Sequence, residues 1–96
     1  MIAVLIYPGF QLLDAAGPIA AFEIACRLAA RPVAIKVIAT TAGAVRSSSG
    51  VELMAQGLRA ARGVSTLLVA GGEGVQMALS CPRMLAFVRG AASRGC

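Results

Sequence analysis

The sequence predicts an α/β fold on a mostly parallel sheet. Ile2-Ala3-Val4-Leu5-Ile6 is a continuous aliphatic run of the kind found in a strand buried on both faces, and Pro8-Gly9 stops it. A helix follows, with Pro18 at its first turn and Ile19, Phe22, Cys26 and Ala29 recurring at helical spacing before Arg31-Pro32. A second β-branched run at residues 33–39 completes a strand-helix-strand unit, which is the building block of parallel sheets.

Each later element has its own signal. Residues 45–53 read as two short strands around a polar turn, Ser47-Ser48-Ser49-Gly50, forming a hairpin or edge excursion. Thr66-Leu67-Leu68-Val69-Ala70 is a further buried strand, ended by Gly71-Gly72-Glu73-Gly74. Residues 75–79 form a short helical turn, and Pro82 opens a helix to about Ser93 with Leu85, Val88 and Ala92 on one face. A strand is expected beyond that helix, where the sequence reads Arg94-Gly95-Cys96. No repeat or linker divides residues 1–96, so they form one unit.

Composition narrows the function classes. The 96 residues are 58% hydrophobic and only 14% charged, with a mean hydropathy of +0.82. A chain this small cannot hide so much apolar surface in two thin layers, so another chain or a larger domain is expected to cover part of it. The apolar runs are interrupted well short of the roughly 20 residues a membrane span requires. No lysine or arginine precedes Arg27, which removes the basic start of a secretory leader and leaves a cytoplasmic protein as the expectation.

The net charge of +5 comes from eight arginines and Lys36, spread along the chain, while aromatic residues make up 4%. Without a focused basic face or a stacking platform, specific DNA binding by this segment is not expected. Cys26, Cys81 and Cys96 have neither metal-ligand spacing nor an even count, so no metal, cofactor or disulfide is expected. Cys26 and Cys81 read as small buried apolar residues, and Met54, Met77 and Met84 as fillers of core gaps.

The candidate site lies where parallel-sheet proteins bind ligands, beyond the carboxyl ends of the strands. Asp14, placed on the first strand-to-helix loop, can hydrogen-bond a substrate or tune a thiol; its other reading is a cap for the helix at Pro18. The amides of Gly71 and Gly72 can hold an oxyanion, and their other reading is a turn that needs positive φ. Neither a phosphate loop nor a dinucleotide fingerprint fits here, since no Gly-Lys-Ser/Thr follows and Met77 stands at the last glycine position. Ser47, Ser48 and Ser49 read as a turn, because a nucleophilic serine needs a base and the chain has no histidine.

Residues 7–18 (YPGFQLLDAAGP), 45–55 (VRSSSGVELMA) and 67–74 (LLVAGGEG) together resemble the ThiJ/PfpI superfamily of class I glutamine-amidotransferase-like domains. The nearest resemblance is to the amidase-like N-terminal domain of AraC-type transcriptional regulators, where the Val-Arg-Ser-Ser-Ser-Gly segment is typical. It spans the whole chain but only about the first half of the family's domain. The resemblance implies a partial flavodoxin-like three-layer sandwich, truncated before the strand that carries the nucleophile elbow. By motif position, Asp14 matches the family's acidic residue and Gly71 and Gly72 match its amide pair. The family's cysteine has no counterpart, since Cys26, Cys81 and Cys96 all fall away from the elbow position.

The function so implied is that of a truncated ligand-sensing or dimerisation domain, not catalytic as it stands. Its expected partners are a small-molecule ligand and a second copy, with DNA reached only through a helix-turn-helix module outside these residues. The alternative is a fragment of a ThiJ/PfpI-family cysteine hydrolase or isonitrile-hydratase-like enzyme, which also keeps an aspartate in the first loop. A third reading is a small interaction protein that completes its sheet by dimerising.

Overall fold

The computed structural model describes residues 1–93. Its strands are β1 (Ile2–Leu5), β2 (Ile35–Ala39), β3 (Gly43–Arg46), β4 (Glu52–Gly57) and β5 (Thr66–Val69), and its helices are α1 (Leu12–Leu28), α2 (Val75–Leu79) and α3 (Pro82–Ser93). A single 3-10 turn at Leu58–Ala61 follows β4. The strands form one sheet in the order β3-β4-β2-β1-β5.

Beta1 lies inside the sheet, parallel to β2 through Ile2↔Ile35 to Leu5↔Ile38 and to β5 through Ile2↔Thr66 to Leu5↔Val69. All four of its residues are buried, as a doubly covered aliphatic strand requires. Beta3 pairs antiparallel with β4, which meets β2 in parallel only at Ile38↔Gln56 and Ala39↔Gly57. The hairpin expected at residues 45–53 is therefore present at the sheet edge. Among the described residues no strand pairs the outer edge of β5. The strand expected after α3 falls on residues outside the described ones.

The first helix departs from the sequence reading in an instructive way. It begins at Leu12, six residues before Pro18, so Pro18 stands inside it. An interior proline removes one helical hydrogen bond and costs about 3 kcal/mol in an exposed setting. Here the apolar spacing overrides that cost: Leu12, Ala15, Ile19, Phe22 and Cys26 recur every three or four residues across Pro18, with Ala15 fully buried and the others half-buried. Ala29, expected on this face, lies beyond the helix and is exposed.

Leu13, Ile24 and Leu28 form a second apolar stripe on the opposite side of α1, and all three are exposed, Leu28 at 84%. The helix is thus apolar on two faces with only one of them covered. Its polar side carries an exposed Glu23–Arg27 ion pair, a contact that contributes little to stability at such exposure.

Two further expectations are corrected. Met84 fills the core, but Met54 and Met77 are 73% and 79% exposed, because Met54 lies on the β4 hairpin and Met77 on the short α2. On α3 the inward face centres on Met84, Phe87, Val88 and Ala91; Leu85 and Val88 are half-buried as expected on that side, whereas Ala92 is exposed. Among the described residues no helix is long and apolar enough to cross a membrane.

Candidate functional site

Three loops meet where β1 and β5 end, and backbone hydrogen bonds tie them together. Phe10, in the loop after β1, bridges Ser47 in the β3–β4 turn on one side and Gly72 in the loop after β5 on the other. Gly9 N–H donates to the Arg46 carbonyl at 2.9 Å, Ser48 N–H to the Phe10 carbonyl at 2.9 Å, and Gln11 N–H to the Gly71 carbonyl at 2.7 Å. Fully buried Phe10 fixes the middle of this knot.

At Gly72 the backbones of the β1 and β5 loops come very close. It has φ +141, a region that L side chains rarely adopt, and a Cβ there would lie 2.5 Å from Gln11 N and 2.7 Å from the Gly9 carbonyl oxygen. Its glycine is therefore explained by turn geometry and close approach together. Gly9, at φ +84, makes the matching bend on the β1 side.

Asp14 stands in the first turn of α1 rather than on the preceding loop, because the helix starts at Leu12. It does not cap a helix at Pro18; the N-cap position is Gln11, which makes no side-chain cap. The carboxylate benefits from the positive end of the helix dipole and reaches across to the β5 loop. There its Oδ2 accepts the Gly71 N–H at 3.0 Å. The structure thus brings Asp14 and Gly71 into direct contact, with Gly72 next along the chain. That amide is engaged by the protein's own carboxylate.

Tyr7 is the feature that sequence reasoning missed. It is 2% exposed, and its hydroxyl is buried without a hydrogen-bond partner among the described residues. Burial pushes its pKa up, and the negative charge of Asp14 adds to the rise. The only available signal was a lone tyrosine at the end of an aliphatic run. Ser47 is also buried, with its hydroxyl 2.9 Å from that of Ser49, so the serine segment forms a hydrogen-bonded turn closed by Gly50 N–H to the Ser47 carbonyl at 3.0 Å.

Beside the knot lies a cavity of about 340 Å³ lined by Pro8, Thr40, Thr41, Ala44, Arg46 and Glu52. It is large enough for a small organic molecule and offers hydroxyl, guanidinium and carboxylate groups. The described thiols are elsewhere in the chain. Cys26 lies near the end of α1 and Cys81 between α2 and α3, and neither is hydrogen-bonded to Asp14. Cys96 falls outside the described residues. No group of three or more potential metal ligands occurs among the described residues.

No family model and no curated protein matches the chain. Solved structures do. A DJ-1 superfamily protein from Salmonella typhimurium, carrying a cysteine-to-alanine substitution, superposes with a TM-score of 0.73 at 25% identity over 98% of this chain and 50% of its own length. A ThiJ/PfpI family protein from Pseudomonas syringae gives 0.71 at 27% identity over 90% of this chain and 35% of its own. An AraC family transcriptional regulator from Pseudomonas putida gives 0.82 at 21% identity over 98% and 59%, a likeness of fold. The chain spans between about a third and three fifths of the length of these proteins. Its fold is that of the DJ-1/ThiJ/PfpI superfamily, the same family that residues 7–18, 45–55 and 67–74 resemble in sequence.

Proposed function

We propose that this chain is the N-terminal part of a ThiJ/PfpI-like ligand-sensing and dimerisation domain of an AraC-type transcriptional regulator, and that it does not catalyse a reaction as it stands. The observation that carries the reading is the Asp14–Gly71 contact. In a cysteine enzyme of this fold the acid serves a thiol, whereas here it closes onto the chain's own amide and neither Cys26 nor Cys81 bonds to it. The adjoining 340 Å³ cavity is the place for a small polar ligand. The segment Val45-Arg46-Ser47-Ser48-Ser49-Gly50 supports the regulator over the hydrolase.

The second apolar stripe of α1, Leu13, Ile24 and Leu28, supports the dimerisation half of the reading, since a helix apolar on both faces is normally covered on both. DNA contact belongs to a module outside these residues. The experiment is a thermal-shift screen of small amides, amino acids and isonitriles, run beside a turnover assay of the same compounds. A saturable shift lost in Arg46→Ala, with no product formed, is the expected result. Turnover that disappears in Cys26→Ser or Cys81→Ser would replace the sensor by the enzyme.

A further inference from the structure

A second concave site lies at the opposite end of the sheet. It is a cavity of about 550 Å³ lined chiefly by Leu58, Arg59, Arg62, Val64 and Phe87, between the 3-10 turn and α3. Its place at the amino ends of the strands follows from two contacts: Ser65 N–H donates to the Met1 carbonyl at 2.9 Å, and Lys36 Nζ donates to the Ala60 carbonyl at 3.3 Å. The Asp14 crevice is at the carboxyl ends, so the two sites are separate.

The local backbone explains why two arginines share this cavity. Arg62 N–H donates to the Arg59 carbonyl at 3.2 Å, closing a three-residue turn, and such turns set side chains three apart on one side. Both arginines are exposed, and neither takes part in an ion pair among the described residues. The chain's four carboxylate residues are placed elsewhere: Asp14 on Gly71, Glu23 on Arg27, Glu52 on the 340 Å³ cavity and Glu73 in the β5–α2 loop. Leu58, Val64 and Phe87, all half-buried, give the cavity an apolar lining beside the two cations.

We infer that this cavity binds an organic anion with an apolar body, its carboxylate or equivalent head held by Arg59 and Arg62 and its hydrocarbon part laid against Leu58, Val64 and Phe87. Two guanidiniums fix the planar head through charge-assisted hydrogen bonds, and the apolar wall selects against small inorganic anions. The volume falls within the roughly 300–1,000 Å³ typical of small-molecule sites.

The test is calorimetric titration of the whole chain with decanoate below its micelle concentration, beside decanol, acetate and inorganic phosphate. One decanoate should bind, at least about tenfold tighter than any of the other three, because each of them lacks either the head or the tail. Arg59→Gln with Arg62→Gln should remove the preference for decanoate over decanol, while Asp14→Ala leaves it intact. The unmodified chain provides an independent readout: the Phe87 ring and the Leu58 and Val64 methyl resonances should shift with decanoate and not with acetate. Equal binding of decanol, a preference that survives the arginine substitutions, loss of binding in Asp14→Ala, or unmoved Phe87 resonances would each overturn the inference.

Discussion

Beta1 and β5 are both four-residue, mainly aliphatic strands paired in parallel along their whole length, yet they live in different surroundings. Ile2-Ala3-Val4-Leu5 is buried throughout, whereas in Thr66-Leu67-Leu68-Val69 the middle pair is half-buried and both ends are exposed. Leu5 has no exposure and its register partner Val69 has 51%. Position in the sheet order accounts for the contrast. Beta1 has a parallel neighbour on each side, while β5 has β1 alone among the described residues. An aliphatic run therefore announces a strand without announcing how well that strand is covered, and the high hydropathy of this chain reflects runs of both kinds.

The sharpest way to break this contrast is to disturb the knot that holds the ends of both strands. Gly72→Ala should lower unfolding stability by about 4 kcal/mol, combining strain at positive φ with a clash against the Gly9 and Gln11 backbone. Chemical denaturation reads the loss, and a change below 1 kcal/mol would mean that the loops can separate freely. Next in size, Leu5→Ala should cost about 3 kcal/mol, while Val69→Ala, at a half-exposed site, should cost less than about 1 kcal/mol. Equal costs would show that β5 is covered as fully as β1 in solution.

The candidate site was only partly legible in the sequence. Strand and helix identities followed from apolar runs and from Pro and Gly punctuation, and the hairpin from Ser47-Ser48-Ser49-Gly50. The start of α1 was not legible, because Pro18 looks like a first-turn proline and it is tertiary packing of Leu12 and Ala15 that makes the earlier turn worth forming. That error moved Asp14 from loop to helix but left it beside Gly71, since the first helical turn and the preceding loop face the same crevice. Met54 and Met77 were misplaced because composition cannot show which face a short hairpin or a five-residue helix turns to solvent. The stranded Tyr7 hydroxyl was beyond sequence reasoning altogether, as it depends on which side chains enclose it.

Tyr7 also supplies a smaller test of how the β1 end differs from the rest. It is the sole tyrosine and there is no tryptophan, so tyrosinate absorbance reports on it alone. Its pKa is raised in the folded state, so the fold retains the proton more firmly than the unfolded chain does. The associated stability is fully present below the unfolded value, roughly pH 10, and is lost as pH rises through the folded value. Asp14→Asn should move the titration down while leaving it above the unfolded value, since burial is the larger cause. Tyr7→Phe, which removes a buried hydroxyl with no partner among the described residues, should change stability by less than about 1 kcal/mol or raise it. A clear loss would reveal a partner for that hydroxyl.

Amide hydrogen exchange at Gly71 bears most directly on the account, whose core is that the acid of the first helix is committed to the backbone of the β5 loop. With Asp14 replaced by Ala, the Gly71 amide should exchange about tenfold faster or more, in keeping with loss of a charge-assisted hydrogen bond, while the amide of Leu5 keeps its protection. An unchanged Gly71 rate would contradict the account and leave Asp14 available for a thiol.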